Sequence, residues 1–305
     1  METMMILVRQ ILQMFLLAGL GYLLFRGKKI TAEGSKALAN ILIYLSLPAV
    51  IINGFLVDRT GEHLLGILWS GAAAAALLLL SVLISRLIFR RDAIASFASS
   101  FSNPGFFGIP LIIAFLGQES VFYVACFIAF LNVGQWTYGV SILTGQPIRQ
   151  GFQLKKLIRA PFIIAILIGL FLFLTQLRPP QLLQSCLTTV AGLNTPLSMF
   201  TVGVYLAQAD IPRMIRRRQL YLVAFSRLLL IPAVSLLLLT LLPASLYSMK
   251  MALLLAISCP VGANVAVYAQ LHGKDYAYAV ETVVVSTLLS ILSIPLVTML
   301  AGFIW

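Results

Sequence analysis

The sequence predicts an all-α polytopic membrane protein: ten transmembrane helices forming two inverted five-helix repeats, with helices 4 and 9 broken and crossing. Three observations carry this prediction. Hydrophobic residues make up 61% of the chain and charged residues 10%, where an ordinary soluble domain has about a quarter of its residues charged. Apolar runs of roughly 20 residues, the length that crosses ~30 Å of hydrocarbon, recur along almost the whole sequence. Two proline-broken apolar segments stand at matching places in the two halves. They are Ser102-Asn103-Pro104-Gly105-Phe106-Phe107-Gly108-Ile109-Pro110 and Ser258-Cys259-Pro260-Val261-Gly262-Ala263-Asn264.

The first span covers about 4–25; no basic region precedes it and Arg9, Gln10 and Gln13 interrupt it, which reads as a spanning helix rather than a cleaved signal. Span 2 covers about 36–56 and holds Pro48, span 3 about 64–88, span 4 about 94–116 with the first break, and span 5 about 119–143 with Asn132 at a depth where apolar residues are expected. The connection from Thr144 to Leu157 combines Gly145, Pro147 and Gly151 with Arg149, Lys155 and Lys156, turn and charge signals that mark a repeat boundary between 1–145 and 146–305. Span 6 follows at about 158–177, span 7 at about 182–206 with Pro196, span 8 at about 219–242, span 9 at about 248–270 with the second break, and span 10 at about 276–303. Pro48 and Pro196 read as kinks, and Pro110 and Pro295 as structural. Cys126, Cys186 and Cys259 fall in apolar spans without metal-ligand or CxxC spacing, so neither a disulfide framework nor a metal site is expected, and nothing calls for a cofactor.

The net charge of +12 is distributed by loop. Arg26, Lys28, Lys29 and Lys36, then Arg86, Arg90 and Arg91, then Arg149, Lys155, Lys156 and Arg159, then Arg213, Arg216, Arg217 and Arg218 occupy the loops of one face; the other face has Arg59, Arg178 and Lys250. An excess of basic residues marks the cytoplasmic side, which puts both termini outside a cell membrane. This asymmetry also accounts for the charge without nucleic acid: the basic loops meet anionic lipid headgroups.

Ser102, Pro104 and Gly117 match Ser258, Pro260 and Gly273 at one constant offset of 156 residues. Five spans per repeat is an odd number, so the second repeat enters the membrane from the opposite side, and the two broken helices meet at mid-depth. Proline at 104 removes an amide donor and clashes with the Ser100 carbonyl, so the helix opens there, while Gly105 permits backbone angles that other residues resist. Each opened helix presents free N–H groups and the positive end of its second half to the break. Such a place suits a carboxylate. The candidate binding residues are Ser102, Asn103, Pro104, Gly105, Asn132, Ser258, Pro260, Gly262 and Asn264, the asparagines and serines adding side-chain donors. Arg227 and Glu281 are the ionisable residues placed inside spans at similar depth, candidates for a charge pair or for ion coupling.

The Asn103-Pro104-Gly105 break leading into Gly108-Ile109-Pro110-Leu111, the Pro260-to-Asn264 break followed by Ala269-Gln270, and Ser286-Thr287-Leu288-Leu289-Ser290 with Pro295 resemble the auxin efflux carrier family, over the whole chain. That family includes plant auxin exporters and bacterial organic-acid permeases. The resemblance implies a scaffold of helices 1, 2, 6 and 7, often a dimer interface, against which helices 3 to 5 and 8 to 10 move as a transport domain. The long cytoplasmic loop of the plant exporters is absent, so the chain is similar to the bacterial type, and auxin is not the expected substrate.

The expected function is therefore a secondary transporter of a small organic anion, bound where helices 4 and 9 cross and moved by elevator-type alternating access. A sodium- or proton-coupled symporter of organic acids is the alternative within this class, and a membrane sensor or receptor without transport is the alternative outside it. An intramembrane enzyme is disfavoured: His63 and His272 are in loops, no HExxH occurs, and Asp58, Asp92, Asp210 and Asp275 stand at span ends.

Overall fold

The computed structural model describes residues 2–148 and 159–305, and its named elements are all helical. In chain order they are α1 (Glu2–Arg26), α2 (Ala32–Gly54), α3 (Gly61–Ile88), α4 (Ala93–Ser100), α5 (Pro104–Leu116), α6 (Gln118–Thr144), α7 (Pro161–Thr175), α8 (Gln181–Gln208), α9 (Ile211–Arg216), α10 (Arg218–Thr240), α11 (Ala244–Ser258), α12 (Asn264–Leu271) and α13 (Tyr276–Ile304). Seven of these are long and apolar enough to cross a membrane: α1, α2, α3, α6, α8, α10 and α13. Helices α5, α7 and α11 are shorter and apolar. Arg149, Lys155 and Lys156 lie outside the described residues.

Polar caps set where several helices begin. Thr31 accepts from the Gly34 amide at 3.0 Å, Thr60 from His63 at 3.1 Å, Asp92 from Ala95 at 2.9 Å, Asp210 from Arg213 at 3.2 Å and Asp275 from Tyr278 at 2.9 Å. Each bond satisfies an amide that the first helical turn leaves without a carbonyl. Three of the aspartates at span ends, Asp92, Asp210 and Asp275, are therefore caps, whereas Asp58 pairs with Arg178 at 2.6 Å. Inside the spans, short stretches at Leu42–Ser46 and Ser226–Leu230 loosen to π-helical bonding just ahead of Pro48 and Pro232, where the missing proline amide breaks the regular pattern.

The helix stops at Ser100 and resumes at Pro104; Phe101 between them is extended, with φ −117° and ψ 113°. In the second half it stops at Ser258, Cys259 is extended with φ −61° and ψ 152°, and it resumes at Asn264. The two extended arms lie against each other: Ser102 and Val261 form an antiparallel bridge and the Gly262 amide donates to the Phe101 carbonyl at 3.0 Å. The first arm thus supplies an acceptor for an amide of the second, whose Val261 amide donates to Ser286 Oγ at 3.0 Å.

Two packing groups surround this meeting point. Helix α1 runs along the second half of α8, while α7 and the first half of α8 pack on the second half of α2. Helices α3, α4, α6, α10, α11, α12 and α13 pack on one another. Helix α5 belongs to the broken pair yet touches α1, and its first turn touches α8. Large apolar side chains such as Leu16, Leu79, Leu292 and Phe303 stand exposed on the outside, as on a surface solvated by lipid.

Candidate functional site

Next to the bridge is a cavity of about 580 Å³. Ser102, Asn103, Pro104 and Gly105 line it from the first break, Gly262 and Asn264 from the second, and Asn132 and Gln135 from α6. Ser258 and Pro260, expected at the site, do not line it. Both are buried: the second arm reaches the first through Val261 and Gly262, so its cavity face begins two residues beyond Pro260. Gly262 is required where it stands, because a Cβ there would lie 2.8 Å from the Ser102 carbonyl oxygen.

The amides in this cavity are not equivalent. Asn264 Nδ2 donates to Gln135 Oε1 at 2.8 Å, which commits the oxygen of that buried glutamine and leaves its Nε2 without an acceptor. Ser102 Oγ is likewise buried and without a partner. The Phe107 and Gly108 amides both turn back to the Asn103 carbonyl at 3.1 Å, and the amides of Gly105 and Phe106 begin their segment with no earlier helical carbonyl of their own. Unmatched donors at the positive end of a helix suit an anionic acceptor. Asn132 contributes less than expected: its Nδ2 donates to the Ile128 carbonyl at 2.8 Å within its own helix. Sequence reasoning passed over Gln135, although it lies three residues beyond Asn132 and so on the same face of α6.

Arg227 and Glu281 do not pair, contrary to the expectation from their depth. Arg227 is fully buried and sits between the ends of the two stopped helices. Its Nη1 donates to the carbonyls of Ser99 at 3.0 Å and Ser100 at 3.2 Å and to Ser81 Oγ at 3.2 Å, and its Nη2 donates to the carbonyl of Ile257. One guanidinium therefore answers the negative ends of α4 and α11 together. Glu281 is bound instead by Arg217, 3.3 Å away, and by Arg213, 3.5 Å away. These arginines come from α9 and the residue after it. They also lie 3.7 and 3.9 Å from Asp275, and the Arg217 guanidinium stacks 3.6 Å from the centre of the Tyr278 ring. Similar depth in two helices fixes height, not facing direction, which is why the expected pair failed.

A second cavity, of about 590 Å³, lies toward the other ends of α2 and α5. Leu47 on α2 lines the first cavity and Val50 the second; Phe106 on α5 lines the first and Ile109 the second. Three residues of helix, about 4.5 Å of rise, separate the two along either element. Asn194 of α8 lines the second cavity and donates from Nδ2 to the Gly105 carbonyl at 3.2 Å, bonding the two packing groups at this thin layer.

Residues 6–298 match a family described as membrane transport protein, the auxin efflux carrier family that the break motifs resemble. A relative from Rhizobium meliloti (strain 1021), named "Putative malonate transporter", is 26% identical over 302 residues, covering 93% of this chain and 92% of its own.

Proposed function

The chain belongs to the membrane transport protein family and is a multi-pass membrane transporter rather than an enzyme, and on that premise we propose that it is a secondary carrier of small organic anions. The carboxylate binds where the two broken helices meet, held by Gln135 Nε2, Ser102 Oγ and the first amides of α5. The observation that carries this reading is the pair of cavities of similar size on the two sides of one layer about a helical turn thick. A site that is reached from one side and then the other needs two such vestibules and a thin barrier, not a continuous pore.

In this reading α4 with α5 and α11 with α12 are each one interrupted span, giving ten spans in two inverted repeats. The group of α3 to α6 with α10 to α13 carries the anion past a scaffold of α1, α2, α7 and α8, an elevator-type motion, and the scaffold helices pair two protomers. The basic loops face the cytoplasm, with both termini outside. With the cell interior negative, each exported monovalent anion gains about 2.3 kcal/mol per 100 mV, so export runs without another energy source and uptake requires a coupling ion.

The relative's name makes malonate the first substrate to try. Proteoliposomes loaded with unlabelled malonate should take up labelled malonate by counterflow, and Gln135→Leu should abolish the exchange while leaving the protein folded. Absence of counterflow with malonate and with every other two- to six-carbon mono- or dicarboxylate would contradict the carrier reading.

A further inference from the structure

The donors at the floor of the 580 Å³ cavity account for one carboxylate, but the cavity has another feature that they do not use. Arg159 lines it too, from the residues just ahead of α7, and is the one formally charged side chain among the described residues that do. No carboxylate lines the cavity among the described residues. Arg159 is exposed and forms no ion pair among the described residues, and the preceding stretch 149–158 contains no acid in its sequence. A guanidinium takes a carboxylate in a two-pronged grip that no neutral donor reproduces.

Resting on the carrier reading, we propose that Arg159 is a specificity residue: it holds a second carboxylate and selects short dicarboxylates over monocarboxylates of equal chain length. One carboxylate meets Gln135 Nε2 and Ser102 Oγ beside the bridge, and the other meets Arg159 across the cavity. The two anchors belong to different packing groups: Gln135 and Ser102 to the group that holds the breaks, and Arg159 to the approach to α7. Displacement of one group against the other separates them. The Arg159 grip therefore exists only while the cavity is open on its own side, and it contributes to affinity from that side alone.

The test is calorimetric titration of the purified full-length protein with propanedioate and butanedioate, against propanoate and butanoate. Arg159→Gln should weaken the better dicarboxylate by about tenfold and leave the matching monocarboxylate within about twofold, and Arg159→Lys should recover part of the loss because it restores the charge without the planar fork. Equal weakening of both classes, or no weakening of either, with an unchanged melting temperature, overturns the role of Arg159 and leaves the carrier intact. Failure of the unaltered protein to bind any of the four acids overturns both. In oriented proteoliposomes, Arg159→Gln should raise the half-saturating dicarboxylate concentration on the face of the basic loops only. An equal rise on both faces would contradict the one-sided grip.

Discussion

Arg227 holds the two broken helices by their negative ends. Its guanidinium is the donor for the carbonyls of Ser99, Ser100 and Ile257, none of which has a helical amide to turn to once its chain has become extended. Arg227→Gln strips a buried site of its charge and takes the donor from the Ser99 and Ile257 carbonyls, Ser100 keeping Ser81 Oγ at 2.7 Å, and should cost about 3 kcal/mol or more of stability, read as a large fall in melting temperature in detergent. Arg227→Lys should recover only part, since a point charge cannot span two helix ends. A melting temperature unchanged in Arg227→Gln would show that water or other groups satisfy those carbonyls. In the proposed binding cavity, Gln135→Leu should weaken acid binding by about 1–3 kcal/mol, the usual loss for a charge-assisted hydrogen bond, and more than Asn264→Ala does. Asn264 Nδ2 engages the Gln135 oxygen and so fixes which end of that amide is left free, and at the proposed site it would act through Gln135. Equal effects in titrations of the two variants would place Asn264 in direct contact with the acid.

The breaks were legible at the scale of the element because proline and glycine act on their own backbone. Pro104 and Pro260 stand with glycine and asparagine close by, company that Pro295 lacks inside unbroken α13, and Gly117 and Gly273, matched at the same offset as the prolines, both adopt positive φ, 89° and 63°. Partners across helices were less legible. Asn132 and Gln135 are equally polar in the sequence, and only packing shows that one turns into its own helix while the other is held open by Asn264. Arg159 read as a topology charge because position in a loop does not reveal a cavity beside it, and the partner of Glu281 lay in the run of arginines taken for a lipid anchor. The bridge itself gives the element-scale prediction. Gly262→Ala brings a Cβ to 2.8 Å from the Ser102 carbonyl oxygen, which must push the two arms apart. It should lower stability by about 1–3 kcal/mol and stop transport. Full transport by this variant would mean that the bridge is dispensable.

At the scale of the whole molecule, the proposed orientation rests on the uneven charge and the proposed mechanism on the paired cavities. Single cysteines replacing Lys28 and Arg217 should react with an impermeant thiol reagent only from the cytoplasm; labelling from outside intact cells would invert the arrangement. The central claim is that the group carrying the breaks must move against α8 for each anion carried. Asn194 and Gly105 touch across that boundary, 3.2 Å from Nδ2 to carbonyl oxygen, and a side chain at 105 meets only Leu47 methyl groups at 3.5 Å. The double variant Asn194→Cys with Gly105→Cys, joined by a short bifunctional thiol reagent, ties the two groups together. Counterflow in proteoliposomes, measured before joining, after joining and after release with a reversible reagent, tests the claim most directly. The account predicts that exchange stops when the pair is joined and returns on release, while Asn194→Cys treated alike keeps its rate and Gly105→Cys, which lines the proposed binding cavity, loses less than the joined pair. Undiminished exchange with the pair fully joined would contradict it.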